Sequence, residues 1–304
     1  MRKPVVMVTG ASGFTGRYLV PTLRGKGYGV VGLGKGVSTA DQDFVCDLTD
    51  PAEVRAAVFE AQPTYVVHLA GLAFVHHDDN RTLYDVNLFG TLNLLDALGM
   101  LPTSPRKVLI ASSANVYGVP ANDQPIDESL CPAPINHYAC SKLSMEHMVR
   151  TWFDRLPIVI TRPFNYTGIG QDEKFLIPKI AGHLQRRAQK IELGNLNVSR
   201  DFLDVRDVVD AYIGLLESAA QSDVFNICSG KTVAIRSVLD TMVNFTGHFM
   251  QVEVNPAFIR LNEIPVLCGS PRKLAEAIGF APRHTLNDTL AWMLRGKTAS
   301  GDVA

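Results

Sequence analysis

The sequence has almost no charge imbalance: 29 Lys plus Arg stand against 30 Asp plus Glu, a formal net charge of −1 over 304 residues. That removes the global positive field that gathers nucleic acid or an anionic membrane, so any anionic ligand must be held locally. Paired cysteines are also lacking. Cys46, Cys131, Cys140, Cys228 and Cys268 are scattered, with no CxxC pair and no histidine at metal spacing. Neither a zinc site nor a disulfide framework is therefore indicated, and the thiols read as small apolar residues of a reducing cytoplasm. Long apolar runs are missing too. The most apolar internal stretch, YVVHLAGLAFV at 65–75, carries His68 and falls short of the ~20 residues a bilayer span needs. The start, MRKPVVMVTGASG, is basic, but glycines break its apolar run, unlike a signal peptide. A cytoplasmic protein with no membrane or nucleic-acid partner is expected, so sequons such as Asn165-Tyr166-Thr167 are chance matches. No internal repeat, low-complexity tract or charge block is present.

What is there is alternation. PVVMVTG (4–10), GVVGL (29–33), TYVVHLAG (64–71), RKVLIASS (106–113) and PIVITRP (157–163) are short apolar runs suited to parallel strands buried on both faces. Between them FTGRYLVPTLRGKG, DPAEVRAAVFEAQ, LYDVNLFGTLNLLDALGM and YACSKLSMEHMVRTWFDRL place apolar residues three and four apart, as helices covering a sheet do. The pattern predicts an α/β fold of the Rossmann type, a doubly wound parallel sheet. After about residue 165 the alternation loosens, with Gly and Pro breaks and helix-like runs at 206–218 and 235–246. The expected division is a dinucleotide-binding domain over 1–165, with 199–228 crossing back to it, and a smaller C-terminal substrate-binding domain mainly within 166–304. The last residues, GKTASGDVA, read as a frayed tail.

TGASGFTG at 9–16 follows the first strand and opens the first helix, spacing Gly10, Gly13 and Gly16 three apart. Glycine in such a turn allows close backbone approach, so main-chain N–H groups and the helix N-terminus can face a pyrophosphate. An ordinary glycine turn would look the same. Asp47, in VCDLTD, is placed to accept from an adenine amino group or to act as a helix cap. The end of the second strand reads GLGKG, with no acid for a ribose 2′-OH and with Lys35 available, which favours NADP(H) while leaving NAD(H) possible. The same stretch nearly spells a phosphate-binding P-loop, but Gly36 stands where Ser or Thr must bind Mg²⁺.

YACSK puts Tyr138 and Lys142 at i and i+4 on one helical face. The ammonium, with a cationic nicotinamide, is expected to lower the phenol below its reference of about 10 and fit it for acid/base work. A surface helix holding Tyr and Lys is the bland alternative. It weakens because SSANVYG ends an upstream strand and offers Ser113 as a hydroxyl to polarise a carbonyl.

Gly10-x-x-Gly13-x-x-Gly16, HLAG (68–71), DVNLFGT (85–91), SSANVYG (112–118), YACSK (138–142) and RPFN (162–165) occur in this order, and nearly the whole chain resembles the extended short-chain dehydrogenases/reductases. The resemblance implies Ser113, Tyr138 and Lys142 as catalytic residues, Lys142 also holding the cofactor ribose, and Asn87 supporting the active-site helix. It implies further cofactor contacts at Ser12, Phe14, Thr15, Leu48, Leu69, Ala70, Gly71 and Pro163. Dehydratases of the family carry Glu immediately before VYG, to move an extra proton. Here the residue is Asn115, an amide, which disfavours 4,6-dehydration.

RPFNYTGIGQ, FLIPKI, LGNLNVSRDFLDVRDVVDAY and RLNEIPVLCGSPRKL resemble the GDP-4-keto-6-deoxy-D-mannose reductases and the neighbouring GDP-mannose 4,6-dehydratases. That implies a nucleotide-sugar site at Ser113, Asn115, Asn165, Lys179, Arg200, Arg260 and Glu263, with Arg and Lys on a diphosphate and Glu263 accepting from guanine or ribose. The implied reaction is nicotinamide hydride transfer to C4 of GDP-4-keto-6-deoxy-D-mannose, giving GDP-D-rhamnose. A GDP-6-deoxy-D-talose-forming reductase, a 4-epimerase retaining NAD, and a non-catalytic dinucleotide sensor are the alternatives. His76-His77-Asp78-Asp79 reads as a solvated loop near the cofactor mouth, so no metal is expected. Tyr117 and Phe164 read as core before site residues. Leu88, Leu92, Leu95, Met145, Met148 and Trp152, on helices at 82–101 and 136–155, are apolar beyond what one sheet face needs, and the resemblance pairs them across a homodimer.

Overall fold

A computed structural model describes residues 3–72, 79–258 and 263–296. The strands are β1 (Val5–Thr9), β2 (Gly29–Gly34), β3 (Gln42–Val45), β4 (Tyr65–His68), β5 (Lys107–Ala111), β6 (Ile158–Pro163), β7 (Asn165–Thr167), β8 (Lys190–Leu193), β9 (Ser199–Asp204), β10 (Asp223–Ile227), β11 (Thr232–Ala234), β12 (Gln251–Val254) and β13 (Val266–Leu267). The α-helices are α1 (Gly16–Gly25), α2 (Pro51–Ala61), α3 (Asn80–Tyr84), α4 (Gly90–Gly99), α5 (His137–Arg150), α6 (Leu176–Gln185), α7 (Val205–Glu217), α8 (Ile235–Thr246), α9 (Arg272–Ile278) and α10 (Leu286–Arg295).

Seven strands form one parallel sheet in the order β10-β6-β5-β4-β1-β2-β3. Period-two alternation sorts its side chains into two cores. Met7, Val66, Val108 and Ile110 meet α2, α4 and α5 on one face, while Val6, Val8, Val67 and Leu109 meet α1 and α7 on the other. The fold is thus the doubly wound, Rossmann-type α/β arrangement. Strand order reverses between β1 and β4, and in such sheets ligands bind beyond the strands' C-terminal ends at that crevice. The later chain builds a sheet of β11, β9, β13 and β7, a β12-β8 pair, and a separate core beneath α6, α8 and α10. Among the described residues no helix is long and apolar enough to cross a membrane.

The structure revises the apolar helix surface. Leu95, Met145 and Trp152 are buried in this chain's own core, because α4 packs against both α2 and α5. They are not available to a second copy. Leu88, Leu92 and Met148 keep partial exposure at the edge of that core, and Phe89 beside them is 50% exposed.

Candidate active site

The glycine turn joins β1 to α1. Gly10 has φ +69°, and a Cβ there would lie 3.0 Å from the Ala70 backbone nitrogen, so the turn and the HLAG segment touch main chain to main chain. At Gly16 a Cβ would come within 2.4 Å of the Ala11 carbonyl oxygen, which lets the helix start tight against the turn. The result is a cradle of backbone at a helix N-terminus, a form suited to a pyrophosphate. It opens into a cleft of about 1010 Å³. Every cofactor residue read from the sequence borders this cleft except Asn87, which lies buried behind it. Ser113, Asn115, Asn165, Lys179, Arg200 and Glu263 border it too. Arg260 and His76-His77-Asp78 lie outside the described residues. Asp79 caps α3 by accepting from the Arg81 and Thr82 amides, and among the described residues no cluster able to hold a metal ion occurs.

Tyr138 and Lys142 stand one turn apart on α5, whose N-terminus is capped by Asn136 accepting from the Ala139 amide. Tyr138 is 8% exposed, with the Ser113 side chain beside its phenol. Burial pushes the phenol up to about 12, and the neighbouring Ser113 hydroxyl offsets only part of this. The expected lowering is therefore not found in the protein alone. The ammonium of Lys142 donates to the Ala111 carbonyl at 2.9 Å, and desolvation is the largest influence on the phenol. Burial also pulls Lys142 down to about 8, against the opposing pull of the Glu146 carboxylate.

Asn87 occupies a single π-helical turn, Asp85–Phe89, between α3 and α4, a device common at functional sites. Its Nδ2 donates to Ser141 Oγ at 3.0 Å, and Ser141 Oγ donates to the Tyr138 carbonyl at 2.8 Å. Its Oδ1 accepts from the Leu72 amide. His68 is buried between Thr9 and Thr91. Thr91 Oγ1 donates to the Asn87 carbonyl, so the hydrogen bonding assigns its proton to Nε2, with Nδ1 accepting from Thr9. Burial, then the nearby Lys142 charge, pulls His68 down to about 3 and keeps it neutral.

Asn115 donates to Ser113 Oγ through both its backbone amide (3.2 Å) and its Nδ2 (3.0 Å). Lys35 is not the unengaged cation read from the sequence: it pairs with Asp47 at 2.7 Å. That contact, with the Thr49 hydrogen bonds, pulls Asp47 down to about 2. At the far end Lys179 donates to the Glu192 carbonyl at 2.7 Å and lies 4.3 Å from the Phe258 ring centroid. Arg200 approaches Glu263 at 3.9 Å. Glu263 Oε2 is buried with no hydrogen-bond partner among the described residues. Tyr117 belongs to the core, donating to Asn226, whereas Phe164, also buried, reaches the cleft wall.

Sequence reasoning missed Tyr166, Phe202 and Phe258, all on the cleft. Tyr166 stacks on Phe14 and shares a 2.8 Å hydrogen bond with Thr15 across 151 residues of sequence. Its place directly after RPFN was the available signal.

A family model described as GDP-mannose 4,6 dehydratase matches residues 7–293. A GDP-6-deoxy-D-talose 4-dehydrogenase of Aggregatibacter actinomycetemcomitans is 36% identical, over 92% of this chain and 93% of its own. A GDP-6-deoxy-D-mannose reductase of Pseudomonas aeruginosa is 34% identical, over 95% of each. Among solved structures, RMD from Pseudomonas aeruginosa complexed with NADPH superposes with a TM-score of 0.86 at 33% identity, covering 96% of this chain and 98% of that one.

Proposed function

The chain belongs to the extended short-chain dehydrogenase/reductase family matched by the GDP-mannose 4,6 dehydratase model, and we propose that it reduces the C4 ketone of GDP-4-keto-6-deoxy-D-mannose with NADPH. Asn115 carries this reading. Where a dehydratase holds an exchangeable carboxyl, this chain holds an amide that neither takes nor gives a proton at neutral pH. Both of its N–H contacts go to Ser113 Oγ, so 4,6-dehydration is disfavoured and hydride delivery to a ketone is favoured, with a 4-epimerase the alternative that net NADPH oxidation separates.

A bound reduced nicotinamide supplies the hydride. The chain's own groups do the rest. Ser113 orients the carbonyl by donating its hydroxyl hydrogen to the ketone oxygen, and Tyr138 hands its proton to the oxygen as the alkoxide forms. A phenol near 12 stays protonated throughout the neutral range, as a donor in the reductive direction must. Lys142 holds ribose hydroxyls, and Asn87 fixes α5 through Ser141. Lys179 and Arg200 suit a diphosphate. The unpartnered Oε2 of Glu263 suits the adjacent N1–H and 2-amino donors of guanine. Which face of the ketone meets the hydride decides between GDP-D-rhamnose and GDP-6-deoxy-D-talose. The two curated relatives carry the names of these two C4 epimers.

The reading is tested by mixing the keto sugar nucleotide with NADPH. One NADPH oxidised per sugar reduced supports it, whereas sugar conversion without net NADPH oxidation points to an epimerase. For the cofactor, β2 ends without an acid and Lys35 follows it. Lys35→Glu is expected to lower kcat/KM for NADPH by about tenfold or more, the scale of one charge-assisted hydrogen bond, with little change for NADH. Equal losses with both cofactors would contradict the NADPH preference. A second copy of this chain is the proposed partner of the surface around Phe89, Leu88, Leu92 and Met148. Light scattering should return twice the 33.2 kDa chain mass, and a single-chain mass refutes the pairing.

A further inference from the structure

Three consecutive residues at the end of β5 each face α5. The Ala111 carbonyl accepts from Lys142 Nζ at 2.9 Å, Ser112 Oγ donates to Glu146 Oε1 at 2.6 Å, and the Ser113 side chain lies beside the Tyr138 phenol. Residues 138, 142 and 146 share one helical face, so the strand end and the helix meet in three rungs. The Glu146 rung is the one the proposed chemistry does not use. Its carboxylate is gripped from β6 by Arg162, with Nε at 2.9 Å from Oε1 and Nη2 at 2.6 Å from Oε2. The two side chains are 1% and 3% exposed.

We propose that Glu146 is a positioning residue: it registers the strand end carrying Ser113 against the helix carrying Tyr138, and its charge keeps Lys142 an ammonium. This rests on the reading above, in which Lys142 holds the cofactor. A buried ion pair is weak evidence for stability, because desolvation offsets its attraction, so the fixed geometry of the pair is the use left to it. The groups facing Lys142 are Tyr138 and Glu146 from its own helix, neutral His68 from β4, Asn87 from the π turn, and Arg162 behind Glu146. Among them Glu146 is the anion. Burial pulls the lysine down to about 8 even with the Glu146 carboxylate opposing it, so losing that charge takes it lower still. Glu146→Gln leaves Arg162 without a counter-charge, whereas Arg162→Met removes the cation and spares the carboxylate.

The test reads two pH profiles between 6 and 10 in the full-length protein: NADPH binding by fluorescence, and NADPH-dependent reduction of the keto sugar nucleotide. Glu146→Gln is expected to move the alkaline limb of both down by about one pH unit, while Arg162→Met leaves it in place or moves it up. Because either variant can fold poorly, Ser112→Ala probes the rung alone. It should lower kcat by about tenfold, the effect of slight misplacement, with NADPH affinity unchanged, and Ser112→Thr should restore kcat. If Glu146→Gln and Arg162→Met shift the limb alike, or kcat falls only in step with Tm, the pair is packing and the inference is wrong. A wild type that binds NADPH with the expected limb yet leaves the sugar unreduced would defeat the substrate reading instead, and the binding profiles would still judge Glu146.

Discussion

Tyr138→Phe should lower kcat by about 10²- to 10⁴-fold, the range of a lost general acid, while both NADPH and the nucleotide sugar still bind. The substitution deletes one oxygen from a side chain that is otherwise enclosed. The ring keeps its packing on α5, and the glycine cradle at Gly10 and Gly16 is untouched. What disappears is the phenolic proton proposed to pass to the forming alkoxide. Cofactor fluorescence and substrate titration measure binding, and single-turnover NADPH oxidation measures chemistry. Turnover within threefold of wild type would remove Tyr138 from the mechanism.

Lys142→Met should also abolish most turnover, by about 10²-fold or more, yet make the ligand-free protein more stable at neutral pH. The reason is a buried charge. Folding pulls the lysine from its ordinary value near 10.4 to about 8, chiefly by burial. Below pH 8 the lysine is charged in folded and unfolded chains alike, so folding carries the whole desolvation penalty, about 3 kcal/mol. Between about 8 and 10.4 the unfolded chain holds more protons, stability rises with pH, and the penalty fades. Methionine fills similar volume without charge but leaves the Ala111 carbonyl unpaired, a loss of about 1 kcal/mol. A net gain of about 1 to 2 kcal/mol should lift Tm by about 3 °C or more at pH 7 and vanish toward pH 10. A Tm that falls at pH 7, or a gain that grows with pH, would show that the lysine is not buried as a cation.

What could be read from the sequence was what depends on local spacing. The short, continuous apolar runs located β1, β2, β4, β5 and β6, the glycine spacing located the cradle, and Tyr138 and Lys142 at i and i+4 located the catalytic face. The helical run at 235–246 coincides with α8. What escaped were facts of packing between distant segments. Lys35 looked available because its partner Asp47 follows the neighbouring strand, and only the parallel register of β2 with β3, Gly34 beside Val45, brings the two together. The π turn at Asn87 leaves no periodic signature in five residues. Leu95, Met145 and Trp152 looked like surplus apolar surface because a helix pattern cannot say that one helix has two helical neighbours. The phenol was misjudged for a similar reason. Sequence adjacency showed the ammonium but not the enclosure of the site, which for Tyr138 is the larger effect.

Hydride delivery to C4 and proton delivery by Tyr138 are followed together with an isotope. The protein is given GDP-4-keto-6-deoxy-D-mannose with NADPH deuterated at the transferring position, and the sugar product is examined by NMR. Deuterium at C4 of a GDP-6-deoxy-hexose, one per NADPH consumed and lost along with turnover in Tyr138→Phe, is the predicted result. A product carrying no deuterium at C4, or one formed equally well by Tyr138→Phe, contradicts it.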